Sequence, residues 1–201
     1  MVDHVAPDPS TEPAMAQRVP WVPRTADDLE AIPQDRNRYE IIDGVLYVTP
    51  APSVNHQRVV GALHVLIRPY VASIGLEVLM APLDVRASPV TQVEPDILVL
   101  PRALASALTT RWAPMSALLL AVEVLSPSTA SVDRGRKRDL YMSEGVDQYW
   151  IVDPEARRVA VWRPGDTEPA MLHADAVLHW HPVPDVAALE IDLRTVFEEL
   201  T

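Results

Sequence analysis

Glu123 lies inside the run Leu118-Leu119-Leu120-Ala121-Val122-Glu123-Val124-Leu125, where every neighbour is apolar. A carboxylate buried alone is very costly; it either takes up a proton or finds a cation. A metal ion, a lysine or an arginine would compensate it, and the plain alternative is a structural ion pair at a strand end. Asp96 is the second acid of interest, in Glu94-Pro95-Asp96. Proline favours an extended residue before it and cannot donate to a central ladder, so this tripeptide marks the entrance of a strand. An acid there, beside a strand carrying Glu123, can share an oxygen-coordinated divalent ion, because carboxylate, water and phosphate oxygens are what Mg²⁺ prefers. Alone, a Pro-Asp dipeptide usually means a turn; its weight comes from the pairing.

Arg134-Gly135-Arg136-Lys137-Arg138 is the basic cluster of an acidic chain. On a helix, Asp133, Lys137 and Tyr141 fall at four-residue steps and share a face. Lys137 can then point back at the carboxylates while Arg134, Arg136 and Arg138 face a phosphate backbone. The competing reading is a solvated helix face with an Asp133–Lys137 pair. Other candidates carry less. His179-Trp180-His181 puts two imidazoles on one face of a strand without a third ligand nearby, and reads as strand surface. His64 falls within a helix as a packing or surface residue. Ser126-Pro127-Ser128 reads as a strand-to-helix connection with a capping hydroxyl rather than a nucleophile. The chain contains neither a G-x-x-x-x-G-K phosphate loop nor a G-x-S-x-G elbow, so nucleotide hydrolysis and serine esterase chemistry lack support.

The elements that must position these residues follow from period and punctuation. Thr25 caps a short helix. Arg38–Ile42 and Val45–Thr49 flank Asp43-Gly44, a strong hairpin signal. Ser53 caps a long helix on which Val59, Val60, Leu63, Leu66, Ile67, Tyr70 and Val71 recur at helical spacing. Strands are expected at 76–81, 83–87 and 97–100. Residues 118–125 form a strand covered on both faces. A charged amphipathic helix over 133–144 ends at Gly145. A hairpin joins Gln148–Asp153 to 158–163, and the last stretch adds one or two strands and a short helix at 193–200. A mixed sheet flanked by helices, with additional β-hairpins, is the natural packing of this order.

The 201 residues fit one domain, and 48% apolar content makes a globular reading easy. Residues 1–22, with four prolines, three acids and no apolar core, read as a flexible Pro-rich arm; 23–201 form the domain. Cysteine is absent, which excludes disulfide scaffolds, thiolate zinc sites and cysteine nucleophiles and fits a cytoplasmic location. No apolar run is long enough for a membrane span, so no membrane partner is expected. A net charge of −11 argues against a tight, nonspecific nucleic-acid binder, but not against an enzyme meeting one phosphate at a locally basic, metal-assisted site.

Read together in order, Tyr39-Glu40-Ile41-Ile42-Asp43-Gly44, Pro52-Ser53 with His56-Gln57, Pro82-Leu83-Asp84-Val85, Pro95-Asp96, Val122-Glu123-Val124-Leu125-Ser126-Pro127-Ser128, Asp133…Lys137…Tyr141, Gly145-Val146 and Tyr149-Trp150-Ile151-Val152-Asp153-Pro154 resemble the Uma-two family. These are restriction-endonuclease-like proteins of the PD-(D/E)XK nuclease superfamily. The resemblance implies an α/β restriction-endonuclease-like fold and a metal-dependent endonuclease that hydrolyses phosphodiester bonds, with DNA ahead of RNA as substrate. It makes Asp96 and Glu123 ligands of Mg²⁺ (or Mn²⁺) and places Glu40 and His56 near the site, with Asp133 and Tyr141 in support. The superfamily's lysine, expected two residues after the glutamate, is Leu125 here. Lys137, on the following helix, takes its place, orienting the attacking water or steadying the developing charge. Enzymes that cut both strands of a duplex are commonly homodimers, whose two-fold axis matches the substrate. The competing class is a non-catalytic binding or assembly module that keeps the nuclease fold; a cutting chain whose substrate is delivered by a partner stands between the two.

Overall fold

A computed structural model of the chain describes residues 22–32, 35–198 and 200; all but Val22 of the expected N-terminal arm lies outside the described residues. Local chemistry sets the first elements. Thr25 and Asp28 form a reciprocal capping box that starts helix α1 (Ala26–Leu29). Strands β1 (Arg38–Ile42) and β2 (Val45–Thr49) pair antiparallel across Asp43 and Gly44, whose φ angles of 52° and 74° are the left-handed pair that a tight two-residue turn requires. The Ser53 hydroxyl accepts the His56 amide at the start of helix α2 (Val54–Ser73), which buries Val59, Val60, Leu63, Ile67 and Val71 along one stripe.

Strands β3 (Leu76–Met80), β4 (Asp84–Ser88), β5 (Thr91–Val93) and β6 (Ile97–Pro101) follow, then helix α3 (Arg102–Ala107), strand β7 (Trp112–Pro114) and strand β8 (Leu120–Val124). Next come helix α4 (Ala130–Val132), a π-helical turn over Asp133–Lys137 and helix α5 (Arg138–Ser143). Gly145, with φ 77°, lies just beyond. Strands β9 (Gln148–Asp153), β10 (Arg158–Trp162), β11 (Ala170–His173), β12 (Val177–Trp180) and β13 (Leu189–Asp192) and helix α6 (Leu193–Phe197) complete the chain.

A six-stranded mixed sheet in the order β11-β10-β9-β8-β6-β3 forms the centre, and a five-stranded sheet, β2-β1-β5-β4-β7, accompanies it. Within the large sheet β8 and β9 run parallel while the other pairs are antiparallel. One face packs against α2, α6 and the β12-β13 ribbon through Leu63, Ile67, Val99, Val122, Trp150 and Trp180. The other face packs against the five-stranded sheet and α5 through Ile42, Val85, Leu98, Ala121, Tyr141 and Tyr149. The fold is thus mixed α/β with sheets flanked by helices, as the element order implied. Among the described residues no helix is long and apolar enough to cross a membrane.

Three expectations differ from the structure. The helix expected over 133–144 begins at Ala130 and contains a π-helical turn. Strands β5 and β7 and helix α3 carry too few residues to show a period, and their pairing is nonlocal. His181 falls outside β12; within it Trp180 is buried and His179 is exposed, 3.6 Å from Glu190.

Trp150 is fully buried and meets Trp180 edge-on with ring centroids 5.9 Å apart. Trp150→Ala should lower unfolding free energy by about 3–5 kcal/mol, read from the urea midpoint. Met171→Ala, on the exposed edge strand, should stay within about 0.5 kcal/mol.

Candidate active site

Side-chain alternation delivers the two acids to one face of the large sheet. Along β8, Leu120, Val122 and Val124 belong to the core under α2, while Ala121 and Leu125 belong to the core on the opposite face; Glu123 shares their parity. Strands β6 and β8 pair with Ile97 opposite Val122, and one further step in that register sets Asp96 opposite Glu123. The Val124 amide donates to Asp96 Oδ2 at 2.8 Å, which locks this juxtaposition.

Asp96 accepts three hydrogen bonds. Its Oδ1 accepts Arg38 Nη2 at 2.9 Å, and its Oδ2 accepts His56 Nε2 at 3.0 Å besides the Val124 amide. Burial alone would raise the Asp96 pKa, but the His56 hydrogen bond and the Arg38 charge outweigh it and hold the carboxyl below its ordinary range. An ionised carboxylate can only accept, so His56 donates through Nε2, and its buried Nδ1 has no hydrogen-bond partner.

Glu123 is held from the other side. Its Oε1 accepts from Lys137 Nζ at 2.9 Å and from the Tyr141 hydroxyl at 3.2 Å. Lys137 also pairs with Glu40 at 2.8 Å and lies 3.5 Å from Asp133 Oδ1. Glu40 Oε1 accepts the Glu94 amide at 2.8 Å, and Tyr149 donates to the Asp133 carbonyl at 3.0 Å. Burial pushes Glu123 well above the ordinary carboxylate range, with Lys137 opposing, and pushes Asp133 up as well. Burial also works against the Lys137 charge, but Glu123, Glu40 and Asp133 prevail, and the side chain is an ammonium. The helix face inferred from Asp133, Lys137 and Tyr141 is therefore turned inward.

A cleft of about 540 Å³ opens onto the pair, lined by Arg36, Arg38, His56, Glu94, Asp96 and Glu123 together with the loop 126–129. Glu40, Asp133, Lys137 and Tyr141 are buried and are not part of its wall. Arg134, Arg136 and Arg138 lie away from the cleft. Arg134 pairs with Asp153 at 2.8 Å, Arg136 lies 3.8 Å from Asp43, and Arg138 pairs with Asp139 and stacks 4.9 Å over Trp162. Arg36, Arg38 and Glu94 are cleft residues that the sequence did not single out. None carried a distinctive signal: Arg38 stands two residues from Glu40 in β1, a common strand spacing, and Glu94 simply precedes Pro95-Asp96.

The donor set suits the divalent ion that a restriction-endonuclease-like fold implies. Five carboxylates, Glu40, Glu94, Asp96, Glu123 and Asp133, surround two cations, Arg38 and Lys137, so acid is in excess. Asp96 and Glu123 both reach the cleft. Among the described residues no group of three or more His, Cys, Asp or Glu side chains is arranged to enclose a metal. An ion here would have two carboxylates from the chain, Asp96 and Glu123, and would need water and phosphate to complete its shell, as Mg²⁺ commonly does.

Removing the ammonium strands three buried carboxylates. Lys137→Met should cost about 3–5 kcal/mol of stability. In urea melts, the Lys137→Met/Glu123→Gln double variant should lose less than the sum of the two single losses, since the neutral amide no longer needs the charge. Strict additivity would contradict the coupling.

A solved structure from Anabaena variabilis ATCC 29413, described as "a putative nuclease belonging to DUF820", superposes on this chain with a TM-score of 0.74 at 22% identity, covering 89% of this chain and all of that one. At that identity the likeness speaks for the fold. No curated protein matches the chain. The profile of the Uma2 family, described as "Putative restriction endonuclease", matches residues 26–194. Most of the described domain falls within that match, site residues included, and the chain belongs to the Uma2 family.

Proposed function

We propose that this protein is a metal-dependent endonuclease that hydrolyses phosphodiester bonds of nucleic acid, with DNA ahead of RNA as substrate. The observation that carries the reading is the juxtaposition of Asp96 and Glu123 across neighbouring strands, both facing one cleft. Mg²⁺ or Mn²⁺ held by these two carboxylates would supply Lewis-acid chemistry, polarising a phosphate oxygen and making a water acidic enough to attack.

The chain's own residues divide the remaining work. Asp96 is kept ionised and oriented by His56 and the Val124 amide, so it presents fixed negative charge to the cleft. Lys137 acts as a positioning residue: it and Tyr141 both grip Glu123 Oε1, fixing the side chain on the cleft wall. Glu40 and Asp133 hold Lys137 in turn. Arg36 and Arg38 are the cations on the cleft wall that a phosphate would meet first. Hydrolysis in this arrangement needs no covalent intermediate, because water in the cleft is the nucleophile. Cutting both strands of a duplex calls for two copies of the chain, and a homodimer is part of the proposal.

The test is cleavage of supercoiled DNA, linear DNA and structured RNA with Mg²⁺ or Mn²⁺, and with chelator. Asp96→Asn and Glu123→Gln should each lower the rate by at least about a hundredfold, comparable to removing one preorganised electrostatic group from other active sites, with the circular dichroism spectrum unchanged. Full cleavage by either variant would sink the assignment. A chain that binds nucleic acid yet cuts none of these substrates with either ion would be a binding module instead.

A further inference from the structure

We infer that Arg38 is a resident cation that competes with the divalent ion for Asp96, so that this side chain sets the ion concentration at which the site loads. The inference rests on the metal-site reading above and deepens it. All three guanidinium nitrogens of Arg38 are committed around Glu94-Pro95-Asp96. Nε pairs with Glu94 Oε1 at 2.8 Å, Nη1 donates to the Glu94 carbonyl at 3.0 Å, and Nη2 donates to Asp96 Oδ1 at 2.9 Å. One fork therefore holds two of the carboxylates that line the cleft.

Three of the roughly four acceptor positions of the Asp96 carboxylate are taken, and the open one lies on Oδ1 beside Arg38 Nη2, so an ion arriving there crowds a donor. Three groups could yield. The Val124 amide is main chain inside a central strand, and the His56 ring is buried at the start of a long helix. Arg38 is different. It sits at the first position of β1, on a long flexible stem, with 17% of its side chain exposed where the cleft opens. It also bears a full positive charge, which Asp96, Glu123, Glu94 and Glu40 sustain against burial. A divalent ion arriving at Asp96 would be repelled by that charge in a site shielded from water. The guanidinium is thus both the most movable donor and the one electrostatics expels. Its removal would leave Asp96 and Glu94 with less compensation, deepening the negative potential that draws an ion in.

Calorimetric titration with Mn²⁺ tests this without any turnover. Arg38→Gln should bind Mn²⁺ at least about tenfold more tightly than the native chain, the equivalent of about 1.4 kcal/mol. Arg38→Lys, which keeps the charge, should stay within about threefold of the native value. Equal or weaker binding by Arg38→Gln overturns the inference and leaves the metal site standing. No ion bound by the native chain or by either variant overturns the metal-site reading and this inference together. Should Arg38→Gln fail to fold, the native chain decides. In its ¹⁵N-arginine side-chain spectrum the Arg38 Nε–H signal, identified by its absence from Arg38→Lys, should move as Mg²⁺ is added. A signal that stays fixed while calorimetry registers ion binding overturns the competition.

Discussion

The Lys137 ammonium, buried among Glu40, Glu123 and Asp133, is the contact on which the site's architecture depends. Its three partners come from different layers: Glu40 from the five-stranded sheet, Glu123 from the six-stranded sheet, Asp133 from the π-helical turn that bears Lys137 itself. Each charge is expensive to take out of water and tolerable only while the others are present. A slip of β1, β8 or the helix by one residue would point a carboxylate away from the lysine and leave it unpaired. The cluster therefore gives a specific energetic reason for the two sheets and the helix to meet in one register. π-Helical turns recur at functional sites, and here Asp133 and Lys137 both face inward from such a turn.

From that buried anchor the two cleft carboxylates acquire different characters. Asp96 faces His56, Arg38 and a main-chain amide, and stays ionised. Glu123 lies deeper, against a lysine already shared with two other acids, and burial raises its proton affinity. Pushing two neighbouring carboxyl groups apart in this way is a familiar route to distinct roles at one pH. The same excess of acid that makes Glu123 hold its proton more tightly is what an incoming cation would relieve. Acids outnumber cations at the site, with three carboxylates sharing Lys137 and two sharing Arg38.

Much of this is legible in the amino-acid sequence alone. The Asp43-Gly44 hairpin, the α2 stripe and the strand carrying Glu123 each rest on local rules, and all three appear in place. Glu123 stood out because an acid inside an apolar run has no inexpensive explanation, and its partner Lys137 followed from four-residue spacing with Asp133. Arg38 was invisible for the opposite reason. An arginine at a strand start is unremarkable in sequence, and its partner Asp96 lies 58 residues away. Strands β5 and β7, only three residues each, depend on nonlocal pairing that no short window records. The basic run over 134–138 was conspicuous yet ambiguous, since composition cannot say that Lys137 turns inward while Arg134, Arg136 and Arg138 turn out.

The outward arginines bear on how such an acidic chain meets a polyanion. Arg134 pairs with Asp153, Arg138 with Asp139, and Arg136 lies near Asp43, so their charges are largely answered by the protein itself. With a net charge of −11, few cations remain to displace counterions from a duplex, and the sequence-independent attraction that dominates most nucleic-acid binding is correspondingly weak. Affinity in the proposed reaction must then come from the cleft. There a phosphate would meet Arg36, Arg38 and an ion on Asp96 and Glu123, and each of these would be favoured by the others' presence. Phosphate would neutralise the repulsion between the ion and Arg38, while the ion would free Arg38 from Asp96 to face the phosphate. Such mutual dependence would make loading of ion and substrate cooperative, and would confine the proposed hydrolysis to nucleic acid seated in the cleft rather than merely near the surface.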